Sequence, residues 1–82
     1  MQLEQAKLFL DILRERIEKA IPNATVQILD PRNDGVHLEA HVKSPSFEGK
    51  LLIDQHRMVY AAVQDLLDSG ELHALAIKTK VE

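Results

Sequence analysis

The stretch Val36-His37-Leu38-Glu39-Ala40-His41-Val42-Lys43 decides the fold of this chain. Val36, Leu38, Ala40 and Val42 alternate with His37, Glu39, His41 and Lys43, and a period of two puts the first set on one face of a β-strand and the second on the other. One face is dry and the other wet. Upstream, Ala24-Thr25-Val26-Gln27-Ile28-Leu29 reads as a strand by its β-branched content. Between the two, Asp30-Pro31-Arg32-Asn33-Asp34-Gly35 is a turn built of residues that accept tight backbone angles. The pair is expected to form an antiparallel hairpin.

On the N-terminal side, apolar residues recur at intervals of three and four from Leu3 to Ala20 and just beyond: Ala6, Phe9, Leu10, Leu13, Ile17 and Ile21. That spacing makes one face of an amphipathic helix. Arg14 with Glu18 and Glu15 with Lys19, each four apart, are expected to pair on its outer side. Pro22-Asn23 ends it, because proline disfavours helical backbone in the residue before it. On the C-terminal side, Ser44-Pro45-Ser46 breaks the strand, and Phe47-Glu48-Gly49-Lys50 turns the chain into a second apolar-periodic segment, Leu52, Ile53, Val59, Ala62, Val63, Leu66 and Leu67. A bend is expected near Asp54, which can cap a helix starting at Gln55, with a short extra helix around 48–53 as an optional element. Gly70 supplies the helix stop. Leu72 to Val81 then reads as the third strand, with His73, Leu75, Ile77 and Thr79 facing one way and Ala74, Ala76, Lys78 and Lys80 the other.

The order α-β-β-α-(α)-β over residues 1–82 predicts a single α+β domain, a two-layer sandwich with two helices on one face of a three-stranded sheet. The helix between the second and third strands is long enough for a parallel crossover. Hairpin and crossover together give a mixed sheet.

A chain of 82 residues buries only about 60 to 65% of its unfolded surface. An apolar fraction of 45% and a charged fraction of 28% are ordinary for a globular protein. No apolar run is long enough to cross a membrane, and Met1-Gln2-Leu3-Glu4-Gln5 lacks a basic flank and an apolar signal core, so the expected location is the cytoplasm. The chain has no cysteine, so it offers neither disulfide nor thiolate; any metal chemistry must use histidine and carboxylate, or borrow ligands. A net charge of −3 opposes generic affinity for phosphate backbones.

His73, alone in an apolar strand, is either a satisfied, partly buried side chain or a ligand held on a rigid element. His37 follows the Asp-Gly turn directly and is either a solvated surface group or a second ligand. His41 lies on the same face four residues on, beside Glu39 and Lys43, where ordinary exposure explains it. His56 and Arg57 open the second helix: a polar helix start, a docking site in which Arg57 meets a carboxylate, or the front of a recognition helix. The net charge of −1 over residues 52–67, with histidine neutral, weakens that last reading, and Gly49 stands alone where a phosphate-clamping loop needs two glycines. Lys50, Arg57, Lys78 and Lys80 are nonetheless candidates for a modest basic patch. No nucleophile elbow, phosphate loop or paired carboxylate is present, so the chain is not read as an enzyme.

Phe47-Glu48-Gly49-Lys50, His56-Arg57-Met58-Val59-Tyr60 and Leu72-His73-Ala74-Leu75, in this order and spacing, together with Asp34-Gly35-Val36-His37 and Val42-Lys43-Ser44, resemble the BolA family, particularly its short acid-stress branch often called IbaG. The resemblance covers nearly the whole chain. It implies a KH-like (class II) fold and an adaptor that pairs with a monothiol glutaredoxin and shares a bridging 2Fe-2S cluster. The glutaredoxin supplies a cysteine, glutathione a second thiolate, and the BolA side histidine, with His73 first and His37 second as metal ligands; the isolated chain is expected to hold no cofactor and to be a monomer or weak homodimer. His56, Arg57, Lys50 and Lys78 are the expected partner-binding residues. The resemblance places the chain in iron-sulfur trafficking, iron homeostasis and stress response; the runner-up is a DNA-binding transcription regulator. Two departures stand out: Gln55 where arginine usually precedes His-Arg, and Leu38 where an aromatic usually follows the histidine. Imidazole in place of thiolate removes negative charge from a cluster and raises its potential. Because it ligates only when neutral, the shared site is also expected to weaken in acid.

Overall fold

A computed structural model describes residues 2–82, with side chains from Leu8 onward. The alternating stretch forms β2, His37–Lys43, the middle strand of a three-stranded sheet. Leu38, Ala40 and Val42 are buried on one face, whereas His37, Glu39 and His41 are half-buried and Lys43 exposed on the other. β1, Thr25–Leu29, runs antiparallel to it, with Val26 opposite Val42 and Ile28 opposite Ala40. β3, Ala74–Lys80, runs parallel on its other side, with His37 opposite Ala74 and Val42 opposite Thr79. The mixed sheet is the one expected, and its alternation continues through β3: Leu75 is buried and Ile77 and Thr79 half-buried, against exposed Ala74, Ala76, Lys78 and Lys80.

Two helices cover the dry face. α1, Gln2–Ala20, buries Leu13 and Ile17 and leads into buried Ile21. Ala6, expected on the same face, lies outside the residues whose side chains are described. Arg14 approaches Glu18 at 3.9 Å on the exposed side. α2, Leu52–Ser69, buries Val59, Val63 and Leu66, and its end is closed by Gly70 in the left-handed region at φ 84°. Arg16 of α1 donates to Asp65 of α2 at 2.6 Å, joining the helices at the surface. Its guanidinium holds the Asp65 carboxyl below the ordinary carboxylate value, first by this hydrogen bond.

The route from β2 into α2 differs from expectation. Asp54 caps nothing; it sits within the first turn of a continuous helix whose N-cap is Leu51, and it faces Arg57 at 3.8 Å. The optional helix at 48–53 is absent. A single 3-10 turn, Pro45–Phe47, precedes Gly49 at φ 77°, and the chain enters α2 from extended backbone at Leu51. Leu52 and Ile53 are 61% and 56% exposed although they fit the apolar periodicity. The reason is position: the buried stripe starts only at Gln55, which accepts from Thr79 Oγ1 at 2.5 Å and donates to the Lys50 carbonyl at 3.0 Å. Further along α2, the Tyr60 hydroxyl donates to the Leu75 carbonyl at 2.9 Å.

Two connections are as buried as any helix residue. Phe47 and Leu72 are fully buried, one before α2 and one after it. Ser44, also fully buried, is a polar junction: its Oγ donates to the Pro22 carbonyl at 2.7 Å and accepts from Ser46 N at 3.0 Å, while its backbone N–H donates to the Lys80 carbonyl at 3.0 Å. It thereby ties the end of α1 to the C-terminal ends of β2 and β3.

Removing the Phe47 ring empties a closed site, so Phe47→Ala is expected to lower stability by about 3–5 kcal/mol. Ser44→Ala, which removes a buried hydroxyl that bonds both the Pro22 carbonyl and the Ser46 amide, is expected to cost about 1–2 kcal/mol; urea denaturation of both variants measures these losses. Asp65→Asn removes a carboxylate whose folded pKa is depressed. Its contribution is present above the unfolded carboxylate pKa and is lost as pH falls through the lower folded value. The variant should therefore melt no more than a few degrees below the parent at pH 7, and the gap should close in strong acid, as read by thermal circular dichroism.

Candidate functional site: a histidine pair at one end of the sheet

The sheet brings His37 and His73 together. His37 opens β2, and the parallel register sets Ala74 opposite it. The residue before Ala74 is His73, and the amides of both His73 and Ala74 donate to the Val36 carbonyl, at 2.9 and 3.2 Å. One carbonyl thus holds the two histidine-bearing segments side by side. Their ring centroids are 5.3 Å apart at an interplanar angle of 88°.

His73 departs from the expected setting. It is neither buried nor within the strand: it is exposed and precedes β3 by one residue. The apolar neighbour that buries itself is Leu72; the chain turns at Glu71-Leu72, and the ladder begins only at Ala74. The imidazole is therefore free of the core, and the reading as a satisfied interior side chain does not apply.

His37 is held more firmly than a flexible Asp-Gly turn implies. Asp34 Oδ1 accepts from the amides of Val36 at 3.0 Å and His37 at 2.9 Å, and its Oδ2 accepts from His37 Nδ1 at 2.6 Å. These bonds, the His37 amide first, hold the Asp34 carboxyl well below the usual carboxylate range. Asp30 in turn accepts from the amides of Asp34 at 3.2 Å and Gly35 at 2.9 Å. Asp34 is the site residue that sequence reasoning missed as a functional group. The signal was present: Asp-x-x-His ahead of a strand is a spacing at which aspartate bonds the backbone two and three residues on.

The other candidates lie elsewhere. Gln55 pairs with Thr79, near the C-terminal end of β3, whereas His37 stands opposite Ala74 and His73 just before it, roughly 16 to 20 Å away along the strand. Lys50, His56 and Arg57 flank Gln55 and share its end of the domain. Lys78 faces the open side of the sheet and lies 3.3 Å from Glu39, whose carboxyl is held below its ordinary value by His41 first and Lys78 second. Of the lysines and arginine expected as a basic patch, Lys78 and Lys80 flank Thr79 on β3, while Lys50 and Arg57 lie on either side of Gln55 in sequence, the residue that bonds Thr79. His41 Nε2 is 3.1 Å from Glu39 but makes no well-directed hydrogen bond.

The donor set defines what the histidine end can hold. Among the described residues no group of three or more His, Asp or Glu converges on a point, and the chain has no cysteine. Two neighbouring imidazoles are half a coordination shell. They fit a metal group whose other ligands come from a second molecule, as in clusters where histidine replaces thiolate on one iron.

Comparisons with known proteins agree with this architecture. The family model described as BolA-like protein matches residues 2–82. The protein RP812 of Rickettsia prowazekii is 31% identical, over 82% of this chain and 86% of its own length. BolA1 from Arabidopsis thaliana superposes with a TM-score of 0.77 at 33% identity, covering 89% of this chain and 90% of that one. The BolA domain of SufE1 from the same plant gives 0.74 at 33% identity, covering 88% and 90%. Relatives differ in length, and the chain spans only 22% of the Arabidopsis SufE-like protein 1. Among the described residues no helix is long and apolar enough to cross a membrane. With its whole described length matched by the family model and its helices and mixed sheet in the same order as the solved relatives, the chain belongs to the BolA family.

Proposed function

We propose that this protein is an adaptor that docks on a monothiol glutaredoxin and contributes histidine to a 2Fe-2S cluster bridging the two proteins, the remaining ligands being the glutaredoxin cysteine and glutathione. The observation that carries this reading is the pairing of His37 with His73, 5.3 Å apart at one exposed end of the sheet. Membership of the BolA family supports it, as does the lack of any thiolate in the chain. The cluster is cargo: neutral imidazole in place of thiolate makes it easier to reduce, which suits transfer onward. The histidine end is the docking surface. Lys50, His56, Arg57 and Lys78 stay in the proposal as peripheral contacts to acidic groups of the partner, since they lie away from the pair. A role in iron-sulfur trafficking and stress response follows from that cargo.

The test is anaerobic co-purification with a monothiol glutaredoxin and glutathione, followed by visible absorption and circular dichroism. The parent protein is expected to give a mixed complex whose spectrum differs from that of the glutaredoxin alone. His73→Ala is expected to abolish that difference. A mixed-complex spectrum unchanged in His73→Ala rejects the ligand assignment, and no association rejects the adaptor reading.

A further inference from the structure

We propose that Asp34 is a positioning residue that fixes the tautomer and ring orientation of His37, presenting Nε2 as the ligating atom. The inference rests on the reading of His37 as a ligand and concerns which of its two nitrogens is offered. A carboxylate only accepts hydrogen bonds, so the 2.6 Å contact from His37 Nδ1 to Asp34 Oδ2 requires the proton on Nδ1. In the neutral ring the lone pair is then on Nε2, the nitrogen that faces away from the Asp34 loop.

The carboxylate is itself fixed. Its other oxygen accepts from two backbone amides, Val36 and His37, and the loop carrying it is pinned through Asp30 to the amides of Asp34 and Gly35. Asn33 at φ 55° and Gly35 at φ 75° supply the left-handed backbone that wraps this loop around the two aspartates. Arg32 approaches the same Oδ2 at 3.9 Å, too far to displace the ring. Asp34 is consequently a template held in place before any metal arrives, and the imidazole it grips stands against His73. Carboxylates behind ligating histidines set orientation and raise ligand basicity, and their loss typically weakens metal retention by about 10- to 100-fold.

Asparagine at position 34 separates this role from simple loop capping. Its Oδ1 can still accept from the Val36 and His37 amides, but its NH2 group now faces His37 Nδ1 and donates. The ring must answer with the Nδ1 lone pair and a proton on Nε2, which closes the ligating position. Alanine removes both the cap and the template.

The experiment has two readouts. Nitrogen-15 NMR of the imidazoles in the metal-free protein is expected to find His37 protonated on Nδ1 in the parent and on Nε2 in Asp34→Asn, with the Val36 and His37 amide signals retained. In the anaerobic mixture with glutaredoxin and glutathione, Asp34→Asn is expected to give the spectrum of His37→Ala and to hold the cluster about 10- to 100-fold more weakly. Asp34→Asn behaving as the parent while Asp34→Ala fails would identify a loop cap and overturn the proposal, as would finding His37 protonated on Nε2 in the metal-free parent. If no mixed complex forms with the parent, the function proposed above is lost, and the NMR comparison alone decides whether Asp34 sets the tautomer.

Discussion

Everything about the histidine end depends on the parallel pairing of β2 with β3 through the Val36 carbonyl. Parallel neighbours cannot be joined by a tight turn, and the chain must travel the length of α2 before β3 can begin. That return path places the start of one strand beside the start of the other. His37 and His73 are 36 positions apart in sequence, yet each stands at the entry of its own strand. A slip of one residue in register would move the outward-facing residues of β3 into the core. Leu75, buried against the helices, prevents that slip.

The two ends of the sheet are built differently. At the C-terminal ends of β2 and β3, Ser44, Ser46 and Gln55 close the structure with hydrogen bonds that join both strands, the end of α1 and the start of α2. The serines are among the short polar residues that bond backbone readily where a chain turns. At the N-terminal ends, aspartate does the equivalent work inside one loop, leaving the imidazoles uncovered. Gln55, an oddity beside the family pattern, is an ordinary buried amide with both its polar atoms satisfied, and its neutrality suits a position between a strand hydroxyl and a backbone carbonyl.

Patterns of period two and period 3.6 were legible because burial repeats with them. The alternation in Val36–Lys43, the helical spacing in Leu13–Ile21 and the order of elements needed no tertiary information. What was illegible depended on where an element ends relative to its neighbours. Leu52 and Ile53 fit the helical period, but nothing in a sequence says that burial begins only at Gln55. Asp54 has the chemistry of a cap, yet the helix begins two residues earlier, where extended backbone at Leu51 makes the transition without a side-chain cap. The alternation from Leu72 to Val81 puts His73 within the strand; the turn at Glu71-Leu72 removes it from the ladder. The proximity of His37 and His73 was not predicted by any spacing at all, and Asp34 was read as a turn former because its bond to an imidazole leaves no periodic trace.

The position of β3 at the rim of the sheet has a consequence for how the molecule keeps to itself. A rim strand offers unpaired amides and carbonyls to any passing chain, and flat, uncharged rims recruit copies of themselves into aggregates. Here the Tyr60 hydroxyl occupies the Leu75 carbonyl, and Lys78 and Lys80 place like charges at alternate outward positions along the same strand. A second copy approaching strand to strand would bring lysine against lysine. The C-terminal half of this rim is thereby guarded against self-templating, at the end of β3 opposite the histidine pair.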